Sequence, residues 1–165
     1  MNLIILNGPT GTGKNTIAEI VAQKREKCAV IDFDVLRNMF RKPHKTPWDG
    51  EAGYKQNVLG LEHACMLAKS FLDNGYDCII LDVLYDETAN LYKEKLKEYK
   101  PVLVLLLPTW EEIKRRNETR PPRLKAEELE MVYKQQSELQ VYDKKIDNTD
   151  LSPEEVALKI VELMN

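Results

Sequence analysis

The residue types that invite chemistry begin at the eighth position, with Gly8, Pro9, Thr10, Gly11, Thr12, Gly13, Lys14, Asn15 and Thr16. Glycines at this density let the chain curl until successive backbone N–H groups point inward at one anion. The stretch follows an apolar run, Leu3–Leu6, and opens a segment where Ile17, Ile20 and Val21 recur at helical spacing. A helix starting here adds its positive end to the nest, and Lys14 adds a mobile ammonium for β- and γ-phosphates. The chemistry such a loop performs is the binding of a polyphosphate.

Carboxylates follow where later strands should end. The segment Val30-Ile-Asp32-Phe-Asp34-Val-Leu-Arg37 carries two acids and a guanidinium behind a second apolar run. A third run, Cys78–Leu81, ends in Asp82, with Asp86 nearby. In open α/β sheets ligands bind beyond the carboxyl ends of the strands, so these acids are candidates to meet one. The chain's one local positive patch is Lys114-Arg-Arg116-Asn-Glu-Thr-Arg120-Pro-Pro-Arg123-Leu-Lys125. Within it, Glu111–Arg115 and Glu112–Arg116 have the spacing of helical ion pairs, whereas Arg120 and Arg123 lie past that pairing beside two prolines. His44 and His63 have no metal partner at useful spacing and are expected to be structural or solvated.

Gly8 to Thr16 matches the Walker A pattern except that Asn15 stands where Ser or Thr normally binds Mg²⁺. In this the loop resembles those of adenylate kinases, which also lack a hydroxyl directly after the lysine and carry threonine next. No Asn-Lys-x-Asp or Asp-x-x-Gly motif of signalling GTPases occurs. Size and layout resemble the small nucleoside and metabolite kinases over nearly the full chain: gluconate- and shikimate-kinase-like proteins, chloramphenicol phosphotransferase and the zeta-toxin/polynucleotide-kinase branch.

That resemblance implies an ATP- and Mg²⁺-dependent phosphotransferase acting on a hydroxyl of a small molecule. Asp34 with Arg37 looks like an Asp-x-x-Arg in which the aspartate takes the acceptor's proton and the arginine holds acceptor or phosphate. Asp32 competes for the acidic role, and Asp34 as a plain helix cap is the structural alternative. Asp82 resembles a Walker B aspartate binding the metal through water, with Thr16 as a second metal candidate. Arg120 and Arg123 are implied lid arginines, Arg116 a further phosphate or nucleotide contact, and Arg115 a surface pair. Asn148, in Ile146-Asp-Asn148-Thr149, resembles the loop bordering the adenine ring. Trp48 walls the acceptor site or packs the long helix that follows.

The elements that must hold these residues alternate along the chain. Strands are predicted at Leu3–Leu6, Cys28–Ile31, Cys78–Leu81, Val102–Leu107 and Lys145–Asp147, apolar enough to be buried on both faces. Helical stripes are Ile17, Ile20 and Val21; Tyr54 through Leu72; Ala89, Tyr92, Leu96 and Tyr99; and Leu129, Val132, Gln136 and Leu139. Thr109-Trp-Glu-Glu112 and Ser152-Pro-Glu-Glu155 read as capping boxes. The expected fold is therefore α/β, a three-layer P-loop sandwich with a five-stranded, mainly parallel sheet and a lid. One domain is expected over residues 1–165, with an acceptor segment at about 37–72 and a lid at about 117–125.

Composition bounds the rest. The chain has 165 residues, 43% apolar and 31% charged, enough to build a core without disulfide or metal staples. A formal net charge of −3 supplies no global field for nucleic acid or anionic lipid. No apolar run approaches the roughly 20 residues of a membrane span. Cys28, Cys65 and Cys78 lack metal spacing and read as buried reduced thiols, so a cytoplasmic protein is expected, and a monomer or homodimer is expected as well. Two other readings stay open. One is a polynucleotide or nucleoside 5′-end kinase, on the Arg41–Lys45 cluster with Trp48; the other is a nucleotide-binding regulator without turnover, on Asn15.

Overall fold

The computed structural model describes residues 1–119 and 124–164. Five strands form one sheet: β1 (Leu3–Asn7), β2 (Cys28–Asp32), β3 (Asp77–Asp82), β4 (Val102–Leu106) and β5 (Lys144–Ile146). Their order is β2-β3-β1-β4-β5 and every neighbouring pair is parallel. Among the described residues seven α-helices connect and cover them: α1 (Lys14–Gln23), α2 (Phe33–Arg37), α3 (Gly50–Asp73), α4 (Asp86–Lys95), α5 (Trp110–Thr119), α6 (Ala126–Glu138) and α7 (Pro153–Leu163). Each predicted strand is present, its ends shifted by at most one residue.

Period-two alternation sends β1 side chains to both sides. Leu3 and Ile5 join Ile31, Phe33, Leu61, Ile80 and Tyr92 in a core beneath α2, α3 and α4. Ile4 and Leu6 join Ile17, Val21, Ile79, Val104 and Ile160 in a second core beneath α1 and α7. A smaller cluster of Leu105, Leu107 and Leu139 lies under α6. Both faces of β1 and β3 are therefore buried, which explains why their sequences read as continuous apolar runs rather than alternating ones.

Register aligns the carboxyl ends of three strands. Asn7 pairs with Asp82 and Asp32 with Leu81, so the loops after β1, β2 and β3 open on one edge of the sheet. Among the described residues no helix is long and apolar enough to cross a membrane. Cys28, Cys65 and Cys78 are all free thiols, and burial pushes that of Cys78 up to about 12.

Some local expectations need correction. Helix α2 shows no stripe in the sequence, since five residues are too few for one, and its cap is Asp32, not the alternative Asp34. It is seated by Phe33, whose ring lies against Gly60 of α3, where a Cβ would stand 3.1 Å from it. Helix α3 begins at Gly50, ahead of Tyr54 where its apolar stripe starts. Likewise α5 runs through Thr119, so Asn117 belongs to a helix and is buried. The Ser152 capping box forms in both directions, Ser152 Oγ taking the Glu155 N–H and Glu155 the Ser152 N–H. That at Thr109 forms only half. Thr109 Oγ1 takes the Glu112 N–H at 3.4 Å, but the Thr109 N–H goes to Thr149 Oγ1 and the Glu112 carboxylate to arginines.

Candidate active site

The loop from Gly8 to Gly13 joins the end of β1 to α1. Gly8 passes so close to β4 that a Cβ there would overlap the Leu106 carbonyl, which makes the bare residue a requirement. Gly13 is the N-cap of α1 with φ 89°, a left-handed conformation that favours glycine. The curl is held from within and from behind. Thr12 Oγ1 donates to the Pro9 carbonyl at 3.0 Å, and Asn148 Nδ2 donates to the Thr12 carbonyl at 2.9 Å. Lys14 Nζ reaches back to the carbonyls of Gly8 (2.5 Å) and Pro9 (3.2 Å), folded over the mouth of its own loop.

In front of the loop opens a cleft of about 710 Å³. It is lined by residues 10 to 16 of the loop and by Asp32, Asp34, Arg37, Trp48 and Asp82. The phosphate loop, the acids after β2 and Asp82 thus meet at one sheet edge, because β1, β2 and β3 end there in register.

The two acids after β2 differ sharply. Asp32 is the N-cap of α2, its Oδ1 accepting the Asp34 N–H at 2.9 Å. Its Oδ2 accepts from Asn15 Nδ2 at 2.7 Å. Asp34 is therefore not the cap. Its side chain is 80% exposed and its nearest charge is Arg37 Nη1 at 3.7 Å.

Asp82 is buried at the end of β3, with Oδ1 taking the Val83 N–H at 2.7 Å and Oδ2 the Tyr92 O–H at 3.0 Å. Burial pushes its carboxyl from 3.8 up to about 7, the two hydrogen bonds and the Lys14 charge pulling less strongly the other way. Its alternative, Asp86, is turned elsewhere: Oδ1 takes the N–H groups of Gln140 and Val141, tying α4 to the segment after α6.

Two further candidates do not line the cleft. The Asn148 side chain is buried behind the phosphate loop, where it braces Thr12 instead of facing a base. Arg116 is gripped by Glu112 at 2.6 Å and donates to the carbonyls of Asn148 (2.9 Å) and Thr149 (3.4 Å). Arg115 pairs with Glu112, three residues before it, and not with Glu111. These bonds, from Arg115 first and then Arg116, hold the Glu112 carboxyl down at about 2. Trp48 is 55% exposed and lines the cleft. His63 stacks on Phe40 and His44 bonds the Phe40 carbonyl, as structural residues should. Arg120 and Arg123 lie outside the described residues. Asn117, at the end of α5, brackets the other side of that stretch by exchanging two 3.1 Å hydrogen bonds with the Leu124 backbone.

Sequence reasoning missed Tyr85, Asn57, Glu128 and Gln135, which also line the cleft. A tyrosine just past the third strand was a usable signal; the others sit on long helices with no local mark.

The donor set fits magnesium. Among the described residues no three of His, Cys, Asp and Glu gather in the manner of a dedicated cage. Magnesium needs none, since it keeps several waters and takes one or two carboxylates plus substrate phosphates. Asp82, buried with a carboxyl that its hydrogen bonds do not return to the ordinary range, is the kind of group a cation would relieve.

A parallel β2-β3-β1-β4-β5 sheet with a glycine loop and lysine after its central strand defines a P-loop kinase-like protein. The whole chain, residues 1–165, matches the sequence model of the chloramphenicol phosphotransferase-like proteins, and it belongs to that family. No curated protein matches the sequence. Solved structures share the fold over nearly the full length. The tunicamycin resistance protein of Deinococcus radiodurans superposes with a TM-score of 0.73 at 17% identity, covering 100% of this chain and 96% of its own. A sugar kinase from a Janibacter species gives 0.74 at 18%, covering 99% and 94%. Shikimate kinase from Acinetobacter baumannii gives 0.68 at 20%, covering 99% and 93%.

Proposed function

We propose that this kinase-like protein transfers the terminal phosphoryl group of ATP to a hydroxyl of a small molecule. The observation that carries the reading is that Lys14 and the solvent-facing carboxylate of Asp34 open on the same cleft. Phosphoryl transfer asks mainly for positioning and charge balance, so a cleft with an ammonium on one wall and an acid on another suits it.

Residues 8 to 16 cradle the donor phosphates, and Lys14 swings from the Gly8 and Pro9 carbonyls to the transferring group. Asp34 accepts the proton of the attacking hydroxyl oxygen, whose electron pair then attacks the terminal phosphorus as that atom's bond to the bridging oxygen breaks and ADP leaves. Arg37, 22% exposed and beside Asp34, holds the acceptor or its incoming phosphate, and Trp48 forms an acceptor wall. Asp82 and Thr16 would hold Mg²⁺, which when bound offsets phosphate charge. Arg116 and Asn148 serve the donor nucleotide, and Arg120 and Arg123, outside the described residues, offset charge on the transferring group.

The test is an ATP-consumption screen over hydroxyl compounds, with products identified by mass. At least one sugar, nucleoside or antibiotic alcohol should be phosphorylated, and Lys14→Ala should lower the rate by about 10²-fold or more. A Lys14→Ala protein as active as the parent would sink the assignment of the loop.

A further inference from the structure

The unexplained position in the phosphate loop is Asn15, and its surroundings give it a purpose. A primary amide has one acceptor oxygen and a donor nitrogen, and an ionised carboxylate can only accept. The 2.7 Å contact with Asp32 Oδ2 must therefore be made by Nδ2, which settles which way round the amide lies. Asp32 is itself fixed, since its other oxygen takes the Asp34 N–H. The Asn15 amide is thus held at one branch by a carboxylate that cannot rotate away. Its other branch, the carbonyl Oδ1, receives no hydrogen bond among the described residues, and Asn15 lines the same cleft as Lys14, Thr16 and Asp82.

The chemistry of the exchange is conservative where it matters. The hydroxyl usual at this position offers magnesium a neutral, hard oxygen. An amide carbonyl is also a neutral, hard oxygen, of a kind that alkaline-earth ions accept from proteins. An acid in its place would face Asp32 with a second negative charge; an asparagine faces it with a donor.

We infer that Asn15 supplies a further magnesium ligand in this phosphate loop beside Thr16, its side-chain Oδ1 standing in for the missing hydroxyl and Asp32 orienting it through Nδ2. The inference rests on reading the loop as a magnesium–nucleotide site. It makes Asp32 a positioning residue for the metal and gives the two ends of one amide two separate duties.

The test measures ADP affinity of the full chain by calorimetry, with Mg²⁺ and again with chelator, so that each protein yields a metal-dependent gain independent of turnover. The parent should show a clear gain. In Asn15→Ala and Asn15→Leu the metal-dependent gain, taken within each protein against its own metal-free affinity, should fall about 10- to 100-fold, the range seen when groups around a metal are removed. Asn15→Ser should restore it, because the hydroxyl returns a neutral oxygen. Asp32→Ala, which frees the amide to rotate, should lose part of the gain. Melting curves verify that each variant is folded. A full gain in both Asn15→Ala and Asn15→Leu overturns the inference. So does a gain abolished by Thr16→Val with Asn15→Ala unaffected, which would assign the oxygen to Thr16. A parent whose ADP affinity ignores Mg²⁺ overturns the phosphotransferase reading as well, and so separates the two failures.

Discussion

Asp32 and Asp34 lie two residues apart on one short segment yet meet different surroundings. Asp32 caps α2 and holds Asn15, while Asp34 faces solvent beside Arg37. Replacing each by asparagine tests this division, because the amide keeps shape and one acceptor but neither charge nor basicity. Asp34→Asn should bind ATP as the parent does and transfer phosphoryl about 10²- to 10⁴-fold more slowly. Asp32→Asn should lose far less. Steady-state rates with a fixed acceptor read the difference, and a dead Asp32→Asn beside an active Asp34→Asn would reverse the roles. The glycine loop and the strand-end acids were legible in the sequence because their signals are local. Two things were not. The pairing of Asn15 with Asp32 spans 17 positions and exists only once α1 and β2 are packed. Asp82 and Asp86 look alike as letters, and only the fold turns one inward and the other toward Gln140 and Val141.

Among the elements, α5 shows how one carboxylate can join parts distant in sequence. Glu112 grips Arg115 and Arg116, and Arg116 carries the link on to the loop after β5. Asn148 of that loop then braces the phosphate loop. A carboxyl held below its ordinary value contributes stability that is present above the unfolded value, near 4.5, and is lost as pH falls through the folded value, about 2. Glu112→Gln should therefore melt about 2–4 °C below the parent at pH 7, the shift that roughly 1 kcal/mol makes in a chain of this size. The gap should close as pH falls from 4.5 toward 2, where the parent loses the same charge. A gap that stays constant over that window would mean the loss is one of packing, not of charge. Apolar runs and stripes gave the strands and long helices directly, since burial demands that periodicity. Helix α2 lay below the length at which periodicity exists, and the Thr109 box failed because Arg115 and Arg116 compete for its glutamate.

In the whole molecule the sheet divides the apolar interior in two. Helix α1, which the phosphate loop opens, packs with α7 on one side; α2, which carries Asp34 and Arg37, packs with α3 and α4 on the other. Residues on opposite sides with no shared partner should contribute independently. Ile80→Val in the first core and Ile160→Val in the second should each cost about 0.5–1.5 kcal/mol. The double variant should cost their sum within about 0.5 kcal/mol, read by urea unfolding. A larger departure would show the two sides coupled through the strands. The separation has a consequence for how such a chain can change over generations. Substitutions that reshape the wall proposed to meet the acceptor fall on one side, outside the apolar packing of the helix that the phosphate loop opens, with the Asp32–Asn15 bond as a polar link across. Selection can therefore explore new acceptors by drift and repair within half of the interior, while the machinery for the donor is inherited intact.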